Sequence, residues 1–196
     1  MAEIELPLNF EMAATNEMKD IALRLKPNAV CIVPEKRMEI TTEGGLDLIS
    51  QFDRLKSICH QLNDNGLRIS LFIEPDLRQI ETALKLKVPV IELHTGTYSE
   101  LKADDKENEL KRIQRAVDYA NELGIECHAG HGLNYENVGP IASIKKITEL
   151  NIGHFLIGEA VFIGLTNAID KMKRIMAEAR KVEVSKSDSP YNKRAL

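Results

Sequence analysis

The chain has 196 residues, 43% of them hydrophobic, with no Trp and only 5% aromatics, so its core must be built from Ile, Leu, Val and Ala. The formal net charge of −4 comes from interleaved charges of both signs without a basic stripe, which argues against a nucleic-acid partner. No run of about 18 apolar residues is present, so no membrane-spanning helix is expected.

From the N-terminus, "IELPLNFEM" reads as a strand, and "NEMKDIALRLK" has helical spacing at Met18, Ile21, Ala22 and Leu25. "AVCIV" is a buried-strand run, followed by the loop "PEKRMEITTEGG" and a helix expected over Leu46 to Asn63. "LRISLFI" and "VPVIEL" are two further strands, followed by helices over "LRQIETALKLK" and Lys106 to Glu122. "GIECHAGH" precedes a helix in "NYENVGPIASIKKI", and "ELNIGH" precedes one long helix through "GEAVFIGLTNAIDKMKRIMAEARK". Residues 1–180 are expected to form a single domain, with 181–196 a loosely attached polar tail.

These are six βα units with continuous Val/Ile/Leu strands, which predicts a parallel sheet covered on both faces. The polar residues favour a (β/α)8 TIM barrel lacking two units over a doubly wound sheet. Glu11, Glu92, His94, His131 and His154 are expected at the C-terminal ends of different strands, where barrel enzymes gather their catalytic groups. No GxGxxG or Walker A string points to a single switch point.

Three loops can receive phosphate: "TTEGG" from Thr41, "GHGLNYEN" with a helix capped by Asn134, and "NIGHFLIGEA" around Gly153. Each places glycines before a helix, whose free N–H groups and dipole stabilise an anion. Each is also ordinary capping chemistry at a strand–helix junction. Gly130 and Gly132 flank His131, which suggests an imidazole aimed into a pocket with bare backbone beside it for a ligand.

Glu11 reads either as a general base or as half of an ion pair, and Glu92 as a rim or interior carboxylate in need of a partner, with Lys36 or Arg37 available. His131 and His154 are the candidate proton carriers, while His94 and His128 read as structural and His60 as surface. His94, His128 and His154 match no metal-ligand spacing, and no metal is expected. Cys31, Cys59 and Cys127 form no CxxC pair, which points away from disulfides and zinc and toward a reducing cytoplasm. The first ten residues lack the basic and apolar regions of a signal peptide.

The strings "NFEMAAT", "VPEKRMEITTEGGLD", "SLFIEPD", "IELHTG", "AGHGLNYENV" and "ELNIGH", in this order, resemble the pyridoxine 5'-phosphate synthase family from about residue 6 to residue 178. The resemblance implies a (β/α)8 barrel that condenses 1-deoxy-D-xylulose 5-phosphate with 3-amino-2-oxopropyl phosphate, without metal or organic cofactor. It also implies a cytoplasmic homo-oligomer, typically an octamer. The family's catalytic glutamate falls on Glu11, its proton-donating histidine on His131 and its charge-stabilising carboxylate on Glu92. Its ligand contacts fall on Thr41, Gly132, Gly153 and His154.

The family's first two βα units, with further phosphate-binding and proton-accepting residues, have no counterpart here. The expectation is therefore strands 3–8 of the barrel in a chain that starts late and is nearly inactive alone. The alternative is a short non-catalytic paralogue that binds a phosphorylated ligand or a full-length subunit. An aldolase-like barrel is a weaker third reading, because no strand ends in a Schiff-base lysine. Glu159, Phe155 and His128 depart from the residues usual in the family, and Glu159 should weaken phosphate binding if it faces the site.

Overall fold

A computed structural model describes residues 5–35, 39, 41 and 44–187, which form one parallel sheet with strands in chain order. The strands are β1 (Asn9–Ala13), β2 (Ala29–Val33), β3 (Arg68–Ile73), β4 (Val90–His94), β5 (Glu126–Gly130) and β6 (Ile147–Asn151). Between and after them run α1 (Asn16–Leu25), α2 (Phe52–Asp64), α3 (Leu77–Lys85), α4 (Gly96–Glu100), α5 (Ala103–Glu122), α6 (Val138–Ser143), α7 (His154–Ile163) and α8 (Leu165–Ser187). The sheet curls as a half-barrel with β1 and β6 at its edges.

Side chains alternate across each strand, and the register aligns like with like. Val30, Ile32, Ile69, Leu71, Ile73, Ile91, Leu93 and Ala129 all point to one face and are fully buried. They form one cluster with Leu55, Ile58 and Leu62 of α2, Ile80 and Ala83 of α3, and Ile113, Ala116, Val117 and Ala120 of α5. On the opposite face Glu11 aligns with Cys31, Cys31 with Ser70, Phe72 with Glu92, Glu92 with His128, and Gly130 with Asn151. The expectation of a sheet covered on both faces is thus corrected: helices cover the apolar face, and the inner face is polar.

The helices follow local chemistry. Thr15 Oγ1 accepts from Met18 N at 3.1 Å to open α1, and Lys26 closes it in the left-handed region at φ 49°. Asp76 opens α3 by accepting from Arg78 N at 2.8 Å. The helix expected from Leu46 starts only at Phe52, because Asp47 Oδ1 takes the Ile49 N–H at 3.1 Å and turns the chain. Leu46 and Leu48 are instead buried beside β3, and Leu46 N donates to Phe72 O at 2.8 Å.

The expected single terminal helix is broken at Gly164, whose φ of 81° no helix admits. α7 is apolar around its circumference and leaves Ile157, Val161 and Phe162 exposed, at 63%, 79% and 84%. α8 continues to Ser187, into the expected tail, since 181–187 contain neither Gly nor Pro. Residues 188–196, Lys36 and Arg37 lie outside the described residues. No described helix is long and apolar enough to cross a membrane. All three cysteines are free and buried, and burial pushes the Cys59 and Cys127 thiols up to about 12.

Ile69 lies at the centre of the apolar face. Ile69→Ala should cost about 2–5 kcal/mol, read as a lower urea midpoint with the denaturant slope retained. An unchanged midpoint would contradict the placement of the core on this face.

Candidate active site

At the C-terminal ends of the strands lies a cavity of about 1060 Å³. Glu11 from β1, Glu92 from β4, His131 and Gly132 after β5, and Gly153 and His154 after β6 all line it. Thr41 does not. It faces a neighbouring cavity of about 390 Å³, although Gly44 of the same loop reaches the larger one. Thr42 and Glu43 of this loop lie outside the described residues.

The two carboxylates differ from the expected placement, since each occupies the middle of a five-residue strand rather than its end. His94 shares β4 with Glu92 and so does not come from a strand of its own. Glu11 is exposed on the edge strand, whereas Glu92 is buried. Glu92 Oε2 accepts from Asn151 Nδ2 at 2.7 Å and from the Cys31 thiol at 3.4 Å. Burial raises the Glu92 carboxyl above its ordinary value, and these two hydrogen bonds oppose the rise. The Cys31 thiol is pushed well up by burial and by the Glu92 charge.

Below this pair, Glu126 is pulled down to about 2, chiefly by Arg68, whose Nη2 lies 2.6 Å away. His128 Nε2 meets the same carboxylate at 3.0 Å, so this histidine is held within the inner face of the sheet.

The loop after β5 owes its shape to crowding. A Cβ on Gly130 would strike Glu92 Oε1 and come within 2.8 Å of Asn151 O; one on Gly132 would strike Ser99 Oγ. The bare backbone at Gly130 therefore admits Glu92, not a ligand, while Gly132 still borders the cavity. His131 and Gly132 are both left-handed, at φ 78° and 77°. For a histidine this conformation is uncommon and costs of order 1 kcal/mol or more. Thr95 holds it: its Oγ1 lies 2.7 Å from Gly130 O and 2.6 Å from His131 O, and its N–H donates to Gly130 O at 2.8 Å.

Beyond this turn, Asn134 Oδ1 accepts from Glu136 N and Asn137 N, at 2.9 and 3.1 Å. That turn delays α6 to Val138 and leaves it six residues long, with Asn137 at the cap position expected for Asn134.

His131 is held below the usual imidazole value, first by burial and then by the nearby His94 ring. His94, expected to be structural, also lines the cavity, and its Nδ1 lies 2.8 Å from Glu74 Oε1. Neither Glu74 nor Thr95 stood out in the sequence reading. The strings "FIEPD" and "LHTG", with a polar residue just past the end of a strand, were the available signal.

Gly153 caps α7, and this cap and the first residues of the helix border the cavity. Phe155 packs its ring edge-on against Tyr135, with centroids 4.6 Å apart. Glu159 is half-buried and absent from the cavity lining; its charge acts on Tyr135. Among the described residues, no three of His, Cys, Asp and Glu are grouped to hold a metal ion.

A parallel β/α half-barrel with carboxylates, imidazoles and a helix N-terminus converging on the C-terminal rim defines an enzyme of the barrel type. Residues 1–178 match the family described as "Pyridoxal phosphate biosynthesis protein PdxJ", and the chain belongs to that family. The pyridoxine 5'-phosphate synthase of Zymomonas mobilis subsp. mobilis is 59% identical over 177 residues, covering 90% of this chain and 69% of that protein. The pyridoxine 5'-phosphate synthase of Rhodospirillum rubrum is 56% identical over 178 residues, covering 90% and 72%. Among solved structures, a xylose isomerase domain protein from Planctomyces limnophilus shares the fold, with a TM-score of 0.53 at 13% identity, over 88% of this chain and 72% of that one.

The raised Glu92 carboxyl has a consequence for stability. The folded chain holds this proton more tightly than the unfolded chain, so this group's contribution to stability falls as pH rises through the carboxylate range. Glu92→Gln keeps an acceptor for Asn151 and removes that loss. Its urea midpoint near neutral pH should exceed that of the unsubstituted protein, and the gap should shrink in mild acid. A lower midpoint for the variant at neutral pH would contradict this.

Proposed function

We propose that the chain catalyses the ring-closing condensation of 1-deoxy-D-xylulose 5-phosphate with 3-amino-2-oxopropyl phosphate. The products are pyridoxine 5'-phosphate, inorganic phosphate and two molecules of water. Family membership sets the reaction. The observation that carries the assignment to this site is the meeting of Glu11, Glu92, His131 and the N-terminus of α7 in one cavity.

The chemistry needs repeated proton transfers: the amine joins a ketone with loss of water, a carbon–carbon bond closes the ring, and a phosphate ester is lost. Glu11, open to the cavity, acts as general base. His131, whose imidazolium is made a stronger acid by burial and by the His94 ring, donates protons to departing oxygens. Glu92, fixed by Asn151 and Cys31, stabilises positive charge that develops on the condensing nitrogen. Phosphate rests on the N–H groups at Gly153 and His154, where the helix dipole favours a dianion, with Gly132 bordering the ligand.

The same reading makes the six strands part of a (β/α)8 barrel, with β1 and β6 facing the positions that complete the ring. It also makes the protein a cytoplasmic homo-oligomer, as in the octamers typical of the family. The exposed apolar side chains of α7 are available for burial in such an assembly.

The protein incubated with both substrates should release pyridoxine 5'-phosphate and inorganic phosphate in equal amounts, followed by chromatography and a phosphate assay. Glu11→Gln and His131→Asn should each lower kcat by about 10²–10⁴-fold. A low rate suffices, in keeping with the expectation of near-inactivity for these six strands alone; no product at all, or near-normal kcat in both variants, would overturn the assignment.

A further inference from the structure

Resting on the reaction just proposed, we infer that His94 is a second proton-transferring imidazole of the site, acting through its Nε2, and that Glu74 is its positioning residue. His94 ends β4 on the inner face, is buried, and lines the cavity beside His131. The two rings lie 4.9 Å apart between centroids, and Phe72 packs edge-on against His94 at 5.1 Å.

The orientation of His94 follows from what surrounds Glu74. Glu74 Oε1 accepts from Gly45 N at 2.9 Å, and Oε2 pairs with Arg112 Nη2 at 3.2 Å. A carboxylate in this setting is an acceptor only, so the hydrogen shared at 2.8 Å belongs to His94 Nδ1. The neutral ring then carries its lone pair on Nε2, and a proton gained from substrate goes there.

Gly96 lets that edge reach the cavity wall. A Cβ at this position would stand 2.5 Å from Nε2 and 2.6 Å from Cε1 of His94, and 3.1 Å from Cδ2 of His131. The bare backbone of Gly96 therefore admits the His94 ring beside His131, and both imidazoles line the same cavity. Phe72 and Glu74 fix the ring from its other sides, so His94 has the mounting of a proton carrier and not of a filler.

The step balances without any further reagent. As the amine adds to the ketone, its nitrogen loses a proton to Nε2 of His94, and the resulting imidazolium is balanced by the Glu74 carboxylate. The oxygen takes a proton from the His131 imidazolium to become the carbinol hydroxyl. The proton on His94 is then given to that hydroxyl, which leaves as water, and the iminium N–H proton passes to His131, which restores both rings.

Two measurements test this. In long-range ¹⁵N–¹H spectra of the whole chain, neutral His94 should be the Nδ1–H tautomer, and Glu74→Ala should shift it toward the Nε2–H form common in free histidine. This readout needs no turnover, and an Nε2–H tautomer in the unsubstituted protein would overturn the inference. With turnover established, His94→Ala should lower kcat about 10²–10⁴-fold, while inorganic phosphate still shifts the Gly153 and His154 amides. Added imidazole should recover part of the rate. A loss of less than about tenfold, or a larger loss with no imidazole recovery, would overturn the inference. If the unsubstituted protein makes no product, the proposed reaction fails, and the tautomer still decides how His94 is held.

Discussion

The alternation of side chains along six parallel strands is the constraint on which the site depends. Apolar residues such as Ile69, Leu71 and Ile91 must meet the helices, which obliges their neighbours Ser70, Phe72 and Glu92 to face the concave side. Because the strands run in register, inner-face groups from different strands become lateral neighbours. Glu11, Cys31, Glu92, His128 and Asn151 are brought together by this rule and not by proximity in sequence.

This arrangement buries ionisable groups where none would stand alone. Glu92 is tolerated because Asn151 and Cys31 donate to it. The cost appears as a raised carboxyl at Glu92 and a strained backbone at His131. Both features fall in the cavity, where a carboxylate of fixed orientation and an imidazole of lowered basicity are useful for moving protons. The glycines follow from this crowding, since Gly130 gives way to Glu92 and Gly96 to the His94 ring.

The fold was largely legible because strand and helix periodicities differ so clearly, and "AVCIV" and "LRISLFI" identified β2 and β3 almost to the residue. The helix ends were not legible where side chains compete with the backbone, as Asp47 and Asn134 do before α2 and α6. Gly164 divided what the apolar pattern of α7 and α8 joined. The polarity of the inner face was obscured because isolated Cys31, Ser70 and Glu92 interrupt aliphatic runs without breaking them. At the site, Glu11, Glu92, His131 and the Gly153–His154 pair were legible from their motifs. Glu74 and Thr95 act through partners far away in sequence, among them His94 and His131, so "FIEPD" and "LHTG" mark a polar residue near the rim without showing what it holds.

The most direct test of this account is a crystal structure of the chain with 1-deoxy-D-xylulose 5-phosphate. The account predicts the phosphate on the amides that open α7 and the carbonyl end between Glu11 and His131, within the larger rim cavity. A ligand seated elsewhere, or one whose carbonyl end lies away from both side chains, would contradict it.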